Sequence, residues 1–354
     1  MAKVLLTGST GFLGRHWLEA LRSSPEFADI EPICLARSPD ALRAEAWFAA
    51  LQAQGGPISI VRGGLHDAQR WQDDPALAGV VAILHGAAEV KHSRRDTAAM
   101  FRTNVDGTLA MVRVAAHLGA RLIFVSSSGT VGASPRPEDA PTEDAPFARD
   151  VAGAWPYYAS KIRAEEEAGR LARRLDVRLC IFRPPVLLGP GDHRFRSTGN
   201  IIRHLRGKLP FLLMGGMHFV DIRDAARAML RAAVLPQPAP VYHLRGTACT
   251  VPEFFRMVES VSGVRAPTRI LPTGVARRIG VLADAITHAL PGQRHSPLPD
   301  PVVFEMGAHY WGLGSTLAER DLDYASRPPL ETLRDTVEYL RTHHPQLDRR
   351  AGAA

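Results

Sequence analysis

Cysteine, lysine and long apolar runs are all scarce in this chain of 354 residues. The three cysteines, Cys34, Cys180 and Cys249, lie far apart, with no Cys-x-x-Cys or Cys/His spacing. An odd, scattered set makes neither a disulfide framework nor a metal site, and it reads as reduced core thiols of a cytoplasmic protein. The longest apolar runs, such as Val80 to Leu84 and Phe211 to Met214, fall far short of the ~18–20 residues of a membrane span. Met1 to Leu6 lead straight into a strand-like segment without the cationic and apolar regions of a secretory signal. Lysine occurs only at positions 3, 91, 161 and 208, so the formal charge of +7 is carried almost wholly by arginine. A basic balance raises nucleic acid as a partner. The chain has no zinc-finger spacing, no aromatic-interleaved basic motif and no long Lys/Arg block, so no nucleic acid is expected.

What is present is the make-up of a globular enzyme: 45% hydrophobic and 22% charged residues, with a length that suits one large domain and a smaller one. Short aliphatic runs at Val4 to Leu6, Pro32 to Leu35, Ile58 to Val61, Val80 to Leu84, Leu122 to Val125 and Val177 to Phe182 alternate with helical periodicity, as at Ala98 to Leu118 and Tyr157 to Leu175. Unbroken apolar runs are what strands buried on both faces look like, so the pattern predicts an α/β fold: a Rossmann-type doubly wound parallel sheet. After about Gly191 shorter strands, helices and Pro-rich breaks at 236–240 and 291–301 mix. The expected organisation is a nucleotide-binding domain over 1–190, a partly interleaved substrate lobe over 191–342 and a flexible tail over 343–354.

The first run ends in Thr7-Gly8-Ser9-Thr10-Gly11-Phe12-Leu13-Gly14 and passes at once into a helical segment. Gly8 permits a tight turn, Gly11 a close approach of backbone to a pyrophosphate, and Gly14 close packing of helix on sheet, while the helix N-terminus offers free N–H groups to the anion. The second run ends in Ala36-Arg37-Ser38 and lacks the carboxylate that would bind the ribose hydroxyl of NAD. Arg37 suits the 2′-phosphate of NADP, so NADP(H) is favoured over NAD(H).

Trp155-Pro156-Tyr157-Tyr158-Ala159-Ser160-Lys161 opens the long helical segment and places Tyr157 and Lys161 one turn apart on one face. With six tyrosines and four lysines in the whole chain, this pairing is improbable by chance. A phenol, with a reference pKa of ~10, is a poor acid–base group at neutral pH, and a neighbouring ammonium favours its anion.

These segments resemble the extended branch of the short-chain dehydrogenase/reductase superfamily, the NAD-dependent epimerase/dehydratase family, in which Thr-Gly-x-x-Gly-Phe-Leu-Gly is the usual opening. The resemblance implies that Tyr157 donates or accepts the proton, that Lys161 tunes it and holds the nicotinamide ribose, and that a serine after the fifth strand binds the substrate oxygen. In Val125-Ser126-Ser127-Ser128-Gly129, counting from the strand favours Ser127, and counting back from Val131-Gly132 favours Ser128. The resemblance also assigns cofactor contacts to the loop residues Gly8, Thr10, Gly11, Phe12, Leu13 and Gly14, to Ala87 and Ala88 after the fourth strand, and to Pro184 and Val186 after the sixth. Asn104 matches a residue that braces the active-site strands. Where the family has an aspartate before Leu65 this chain has Gly64, so the adenine contact falls to the backbone near Leu65.

No acidic pair follows Ser127, which disfavours dehydration. Ser-Ser-x-Gly-Thr-Val resembles the dihydroflavonol-reductase and hydroxysteroid-dehydrogenase side of the branch. The expected activity is NADP(H)-dependent hydride transfer to or from a carbonyl or secondary alcohol of a fairly apolar small molecule. The alternatives are a nucleotide-sugar epimerase, in which Arg194, Arg196 and Arg203 would bind a diphosphate, and a non-catalytic NADP-binding sensor. The segment Leu209 to Met217 either lines the substrate pocket or packs in the core. A homodimer formed through helices beside the sheet is implied by the family, and no metal is expected.

Overall fold

The computed structural model describes residues 2–272 and 300–347, together with positions 274, 275, 278, 281, 282 and 285. Its centre is a sheet of seven parallel strands. They are β1 (Ala2–Thr7), β2 (Ile30–Ala36), β3 (Ser59–Arg62), β4 (Val80–His85), β5 (Arg121–Val125), β6 (Leu179–Arg183) and, beyond two further strands, β9 (Val241–His243). In space the order is β9-β6-β5-β4-β1-β2-β3. Val4, Leu5 and Leu6 are wholly buried, as are Leu122, Ile123 and Phe124, because helices cover both faces. The order reverses between β1 and β4, and the carboxyl ends of these strands open the crevice where such sheets bind ligands.

Helix α1 (Phe12–Ser23) leaves the glycine loop and buries His16, Trp17, Leu18 and Leu21. It shares one face of the sheet with α4 (Ile222–Val234), whose Ala225, Met229 and Ala233 join the same core. The opposite face is covered by α2 (Gly107–Leu118) and α3 (Pro156–Arg174), through Met111, Val112 and Ala168 among others. Helix α3 starts with Pro156 in its first turn, where a missing N–H costs nothing. Helix α2 stops at Gly119, whose φ of +64° is the left-handed conformation that a helix end requires.

The single helix expected over Ala98 to Leu118 is interrupted: Ala98–Phe101 is α-helical, Arg102–Asp106 forms a π turn, and α2 follows. The π turn holds Asn104 buried at 1% exposure, and such turns recur where a helix serves a site.

A second core gathers Leu188, Ile201, Leu205, Phe219, Phe254, Val258, Leu333 and Val337. It is built on β7 (Val186–Leu188), β8 (Gly216–Asp221), which pairs parallel with β7 and antiparallel with β10 (Thr247–Thr250), and on α5 (Val251–Ser262) and α6 (Pro329–His343). Asp221 caps α4 by accepting the Arg223 N–H, and Asp224 holds Arg327, so both aspartates act structurally. In the Leu209 to Met217 segment, Leu212 belongs to this second core, with Leu209 and Met217 packed on it. His343 closes α6 and Pro345–Leu347 adds a short 3₁₀ turn, while the rest of the expected tail and residues 291–299 of the Pro-rich break lie outside the described residues. Among the described residues no helix is long and apolar enough to cross a membrane, and no group of His, Cys, Asp and Glu is placed to hold a metal.

Candidate active site

Glycine is required at two places in the first loop. Gly8 has φ +76°, and a Cβ there would lie 2.8 Å from the Ala87 nitrogen; at Gly14 it would lie 2.3 Å from the Gly8 carbonyl oxygen. The Gly11 N–H donates to that same oxygen at 2.8 Å. The turn therefore folds flat against the Ala87 backbone and delivers the start of α1 to the crevice. Helix α1 has no side-chain cap and no acid in its first turn, so its N-terminal N–H groups are free for an anion.

Beside this loop a buried histidine ties three elements together. The Thr7 hydroxyl is 2.7 Å from His85 Nδ1, the Thr108 hydroxyl is 3.1 Å from His85 Nε2, and the Ala87 N–H donates to Thr7 Oγ1 at 3.3 Å. Burial pulls His85 down to about 3, with the Lys161 charge adding to the effect, so the ring stays neutral.

Arg37 leaves the end of β2 exposed and makes no hydrogen bond or ion pair with any described residue. Its side chain runs past Gly64, where a Cβ would stand 3.6 Å from Arg37 Cγ. Leu65 turns its own side chain into the core against Gly107. Ala88 and Val186 are exposed, Ala87 and Thr10 half-buried, and Pro184 buried with its carbonyl accepting the Ser128 N–H at 2.8 Å.

Tyr157, Lys161 and Ser127 converge on the carboxyl end of β5. The Tyr157 hydroxyl faces the Ser127 side chain; burial pushes the phenol up to about 12, and the serine pulls it back down in part. Ser127 is half-buried, whereas Ser128 is buried and engaged through its backbone with Pro184, Val131 and Gly132. The neighbouring Tyr158 is packed away on Gly129, Trp155 and Trp311.

Lys161 is 2% exposed, donates to the Val125 carbonyl at 2.8 Å and lies 4.9 Å from the centroid of the Phe124 ring. Burial lowers it to about 8, and the Glu165 carboxylate raises it again in part. The lowering of Tyr157 expected from the one-turn spacing is therefore not seen in this arrangement. One N–H of the ammonium goes to Val125, and burial dominates at the phenol.

Asn104 braces this arrangement. Its side-chain nitrogen donates to the Glu89 carbonyl at 2.9 Å and to Ser160 Oγ at 3.0 Å, and its oxygen accepts the Glu89 N–H at 2.8 Å. The Ser160 hydroxyl in turn donates to the Tyr157 carbonyl at 2.6 Å. The loop after β4 is thus fastened to the helix that carries Tyr157 and Lys161.

Sequence reasoning missed Glu165, Arg183 and His92. Glu165 continues the Tyr157–Lys161 face by one more turn, a spacing that was legible. It accepts from Arg183 at 2.7 Å and from the Ser126 hydroxyl, and so anchors the ends of β5 and β6. His92 stands edge-on to Tyr157 at 5.5 Å between ring centroids, a contact that no local pattern announces.

Comparison with known proteins agrees with this geometry. The NAD dependent epimerase/dehydratase family matches residues 4–243. The chain is 28% identical over 288 residues to sterol demethylase protein B of Methylococcus capsulatus, covering 80% of this chain and 81% of that protein. It is 26% identical over 334 residues to the 4-hydroxy-2-methyl-3-oxo-4-farnesyl-3,4-dihydroquinoline-1-oxide ketoreductase of Stigmatella aurantiaca, covering 92% of each. The fold is shared with DesIV, a dTDP-glucose 4,6-dehydratase from Streptomyces venezuelae solved with NAD and TYD, at a TM-score of 0.72 and 22% identity over 99% of both chains. The chain belongs to the NAD-dependent epimerase/dehydratase family, within the extended short-chain dehydrogenase/reductase type, and is an NAD(P)-dependent enzyme.

Proposed function

We propose that the protein is an NADPH-dependent reductase of a ketone or aldehyde on a fairly apolar small molecule. The observation that carries this reading is the convergence of Tyr157, Ser127 and Lys161 at the carboxyl end of β5, where the Lys161 ammonium donates to the Val125 carbonyl at 2.8 Å. The crevice suits a nicotinamide dinucleotide because a Cβ at Gly8 or Gly14 would collide with backbone, and the start of α1 carries no competing acid. Gly8, Thr10, Gly11, Phe12, Leu13 and Gly14 would hold the pyrophosphate side. Ala87, Ala88 and the backbone at Leu65 would face the adenosine, and Pro184, Val186 and Lys161 the nicotinamide and its ribose. When bound, the nicotinamide supplies the hydride.

The protein's own part is positioning and proton supply. Ser127 and Tyr157 together hold the substrate oxygen, and Tyr157 donates its proton as negative charge develops there. A phenol kept protonated by burial suits that reductive direction, since it holds its proton at neutral pH until an alkoxide, a far stronger base, takes it. Asn104, through Ser160, keeps the tyrosine's helix in register with the loop after β4.

Two features support NADPH over NADH. Arg37 has no partner among the described residues to compete with a 2′-phosphate, and the Asp67 carboxylate beside Gly64 accepts the Gly64 N–H at 2.7 Å rather than pairing with Arg37. An apolar substrate is supported by the partly buried rings of Tyr157 and Trp311, which pack on the buried cluster of Trp155 and Tyr158. The sterol and farnesyl-quinoline wording of the two relatives' names points the same way.

The test is NADPH oxidation by the full chain against a panel of hydrophobic ketones and aldehydes, with UDP-glucose as the competing substrate. Ketone turnover is expected, reduced on the order of 10²–10⁴-fold in Tyr157→Phe, with NADPH binding retained. Epimerisation of UDP-glucose without any ketone reduction would install the epimerase reading. Full turnover in Tyr157→Phe would remove the tyrosine from the chemistry.

A further inference from the structure

The segment 190–198, which leaves β7 for the second core, is fastened to the glycine-loop side of the molecule. His16, buried on α1, donates from Nε2 to the Pro190 carbonyl at 2.8 Å. Gly191 lies against Arg15, whose guanidinium carbon would be 3.5 Å from a Cβ placed there. Asp192, 1% exposed, accepts the N–H groups of Arg196, Ser197 and Thr198 and the Thr198 hydroxyl. Between these anchors Phe195 adopts φ +53°, a left-handed conformation that a non-glycine residue keeps only when its surroundings impose it.

This path turns Arg194 back across the molecule. Its Nη2 lies 3.4 Å from the carbonyl oxygen of Thr10 and 3.5 Å from the Thr10 hydroxyl, 184 positions away in the chain. Arg194 is exposed and pairs with no carboxylate among the described residues. A cation at this point is electrostatically misplaced in the protein alone, because α1 already presents the positive end of its dipole there and has no acid in its first turn. An anion seated between the N–H groups and the guanidinium resolves the conflict.

We propose that Arg194 is a clamp for the cofactor's diphosphate, closing over the glycine loop from the second lobe. The proposal rests on the nicotinamide dinucleotide reading and adds to it a cationic contact supplied from outside the sheet domain. It also reassigns Arg194 from a substrate diphosphate, where an epimerase would use it, to the cofactor. Of the two arginines grouped with it in the sequence, Arg203 donates to Asn200 at 3.5 Å and Arg196 is exposed.

The experiment is calorimetric titration of the full-length protein and its Arg194→Gln variant with three probes: NADPH, ADP-ribose and adenosine 2′-monophosphate. ADP-ribose has the diphosphate and no 2′-phosphate; adenosine 2′-monophosphate has the reverse. Loss of one charge-assisted contact predicts about tenfold weaker NADPH and ADP-ribose binding, with adenosine 2′-monophosphate unchanged within about twofold. Unchanged ADP-ribose affinity overturns the clamp. So does an equal loss for all three probes, or a lower melting temperature of the nucleotide-free variant, either of which marks a structural role. Wild-type protein that binds neither NADPH nor ADP-ribose overturns the dinucleotide reading itself.

Discussion

Arg183 and Glu165 form an ion pair beneath the site, and breaking it has a calculable cost. Arg183 ends β6, Glu165 sits on α3 one turn beyond Lys161, and their side chains are only 6% and 2% exposed. The carboxylate accepts from Nη2 at 2.7 Å, from Nε at 3.1 Å and from the Ser126 hydroxyl. Arg183→Met would leave it buried with the Ser126 hydroxyl as its remaining donor. Stranding one member of a buried pair costs about 3–5 kcal/mol, whereas replacing both by apolar side chains is often close to neutral. With a guanidinium m-value on the order of 5 kcal/mol per M, a loss of about 4 kcal/mol lowers the unfolding midpoint by about 0.8 M.

The double variant Arg183→Met/Glu165→Met should be more stable than Arg183→Met alone by about 2 kcal/mol. It does not return fully to wild type, because Arg183 Nη1 also donates to the Glu143 carbonyl at 3.3 Å and contacts His243 Nε2 at 3.3 Å, and those acceptors stay unpaired. Guanidinium unfolding followed by tryptophan fluorescence measures all four corners of the cycle. A single-variant cost below about 1 kcal/mol, or a double-variant cost equal to the sum of the singles, would show that the pair is not a desolvated unit.

Two further outcomes follow from the same geometry. Arg37→Asp should weaken NADPH binding by about tenfold or more while leaving NADH binding nearly unchanged, since only the 2′-phosphate meets the new carboxylate; competitive titration of the two nucleotides reads this, and an unaltered preference refutes the role of Arg37. Activity that depends on the Lys161 ammonium should hold below about 8 and fall as pH rises through that value. Glu165 favours the charged form, so Glu165→Gln should move this alkaline limb to lower pH; a limb that stays in place would remove Lys161 as its source.

Much of this arrangement was legible before any coordinates because it is local. The glycine turn, the strand runs and the Tyr157–Lys161 spacing each depend on residues within one or two turns of one another, so backbone sterics and helical periodicity expose them. The serine was legible only to within one residue. The choice of Ser127 within the proposal rests on its relation to other elements: it is the half-buried serine facing Tyr157, while Ser128 is buried with its backbone engaged by Pro184, Val131 and Gly132. The π turn at Arg102–Asp106 was invisible for a related reason: the apolar spacing on both sides of it is helical, and what the turn accommodates is a tertiary demand, Asn104 bonded to Glu89 and Ser160.

Long-range electrostatics was the least legible part, and Gly64 shows why. Alone it is one more glycine before a short turn, and its departure from the family's aspartate reads as a lost adenine contact. Pairing of β2 with β3 puts Ala36 opposite Arg62 and carries the Arg37 side chain past Gly64. In that setting the carboxylate at hand is Asp67, which accepts the Gly64 N–H at 2.7 Å, and Arg37 forms no ion pair with any described residue. Arg194 makes the same point across 184 positions. In an arginine-rich chain the cations that matter are those the fold leaves without an acid, and unlike the Tyr157–Lys161 pair they are identified by missing partners that only the assembled sheet and loops define.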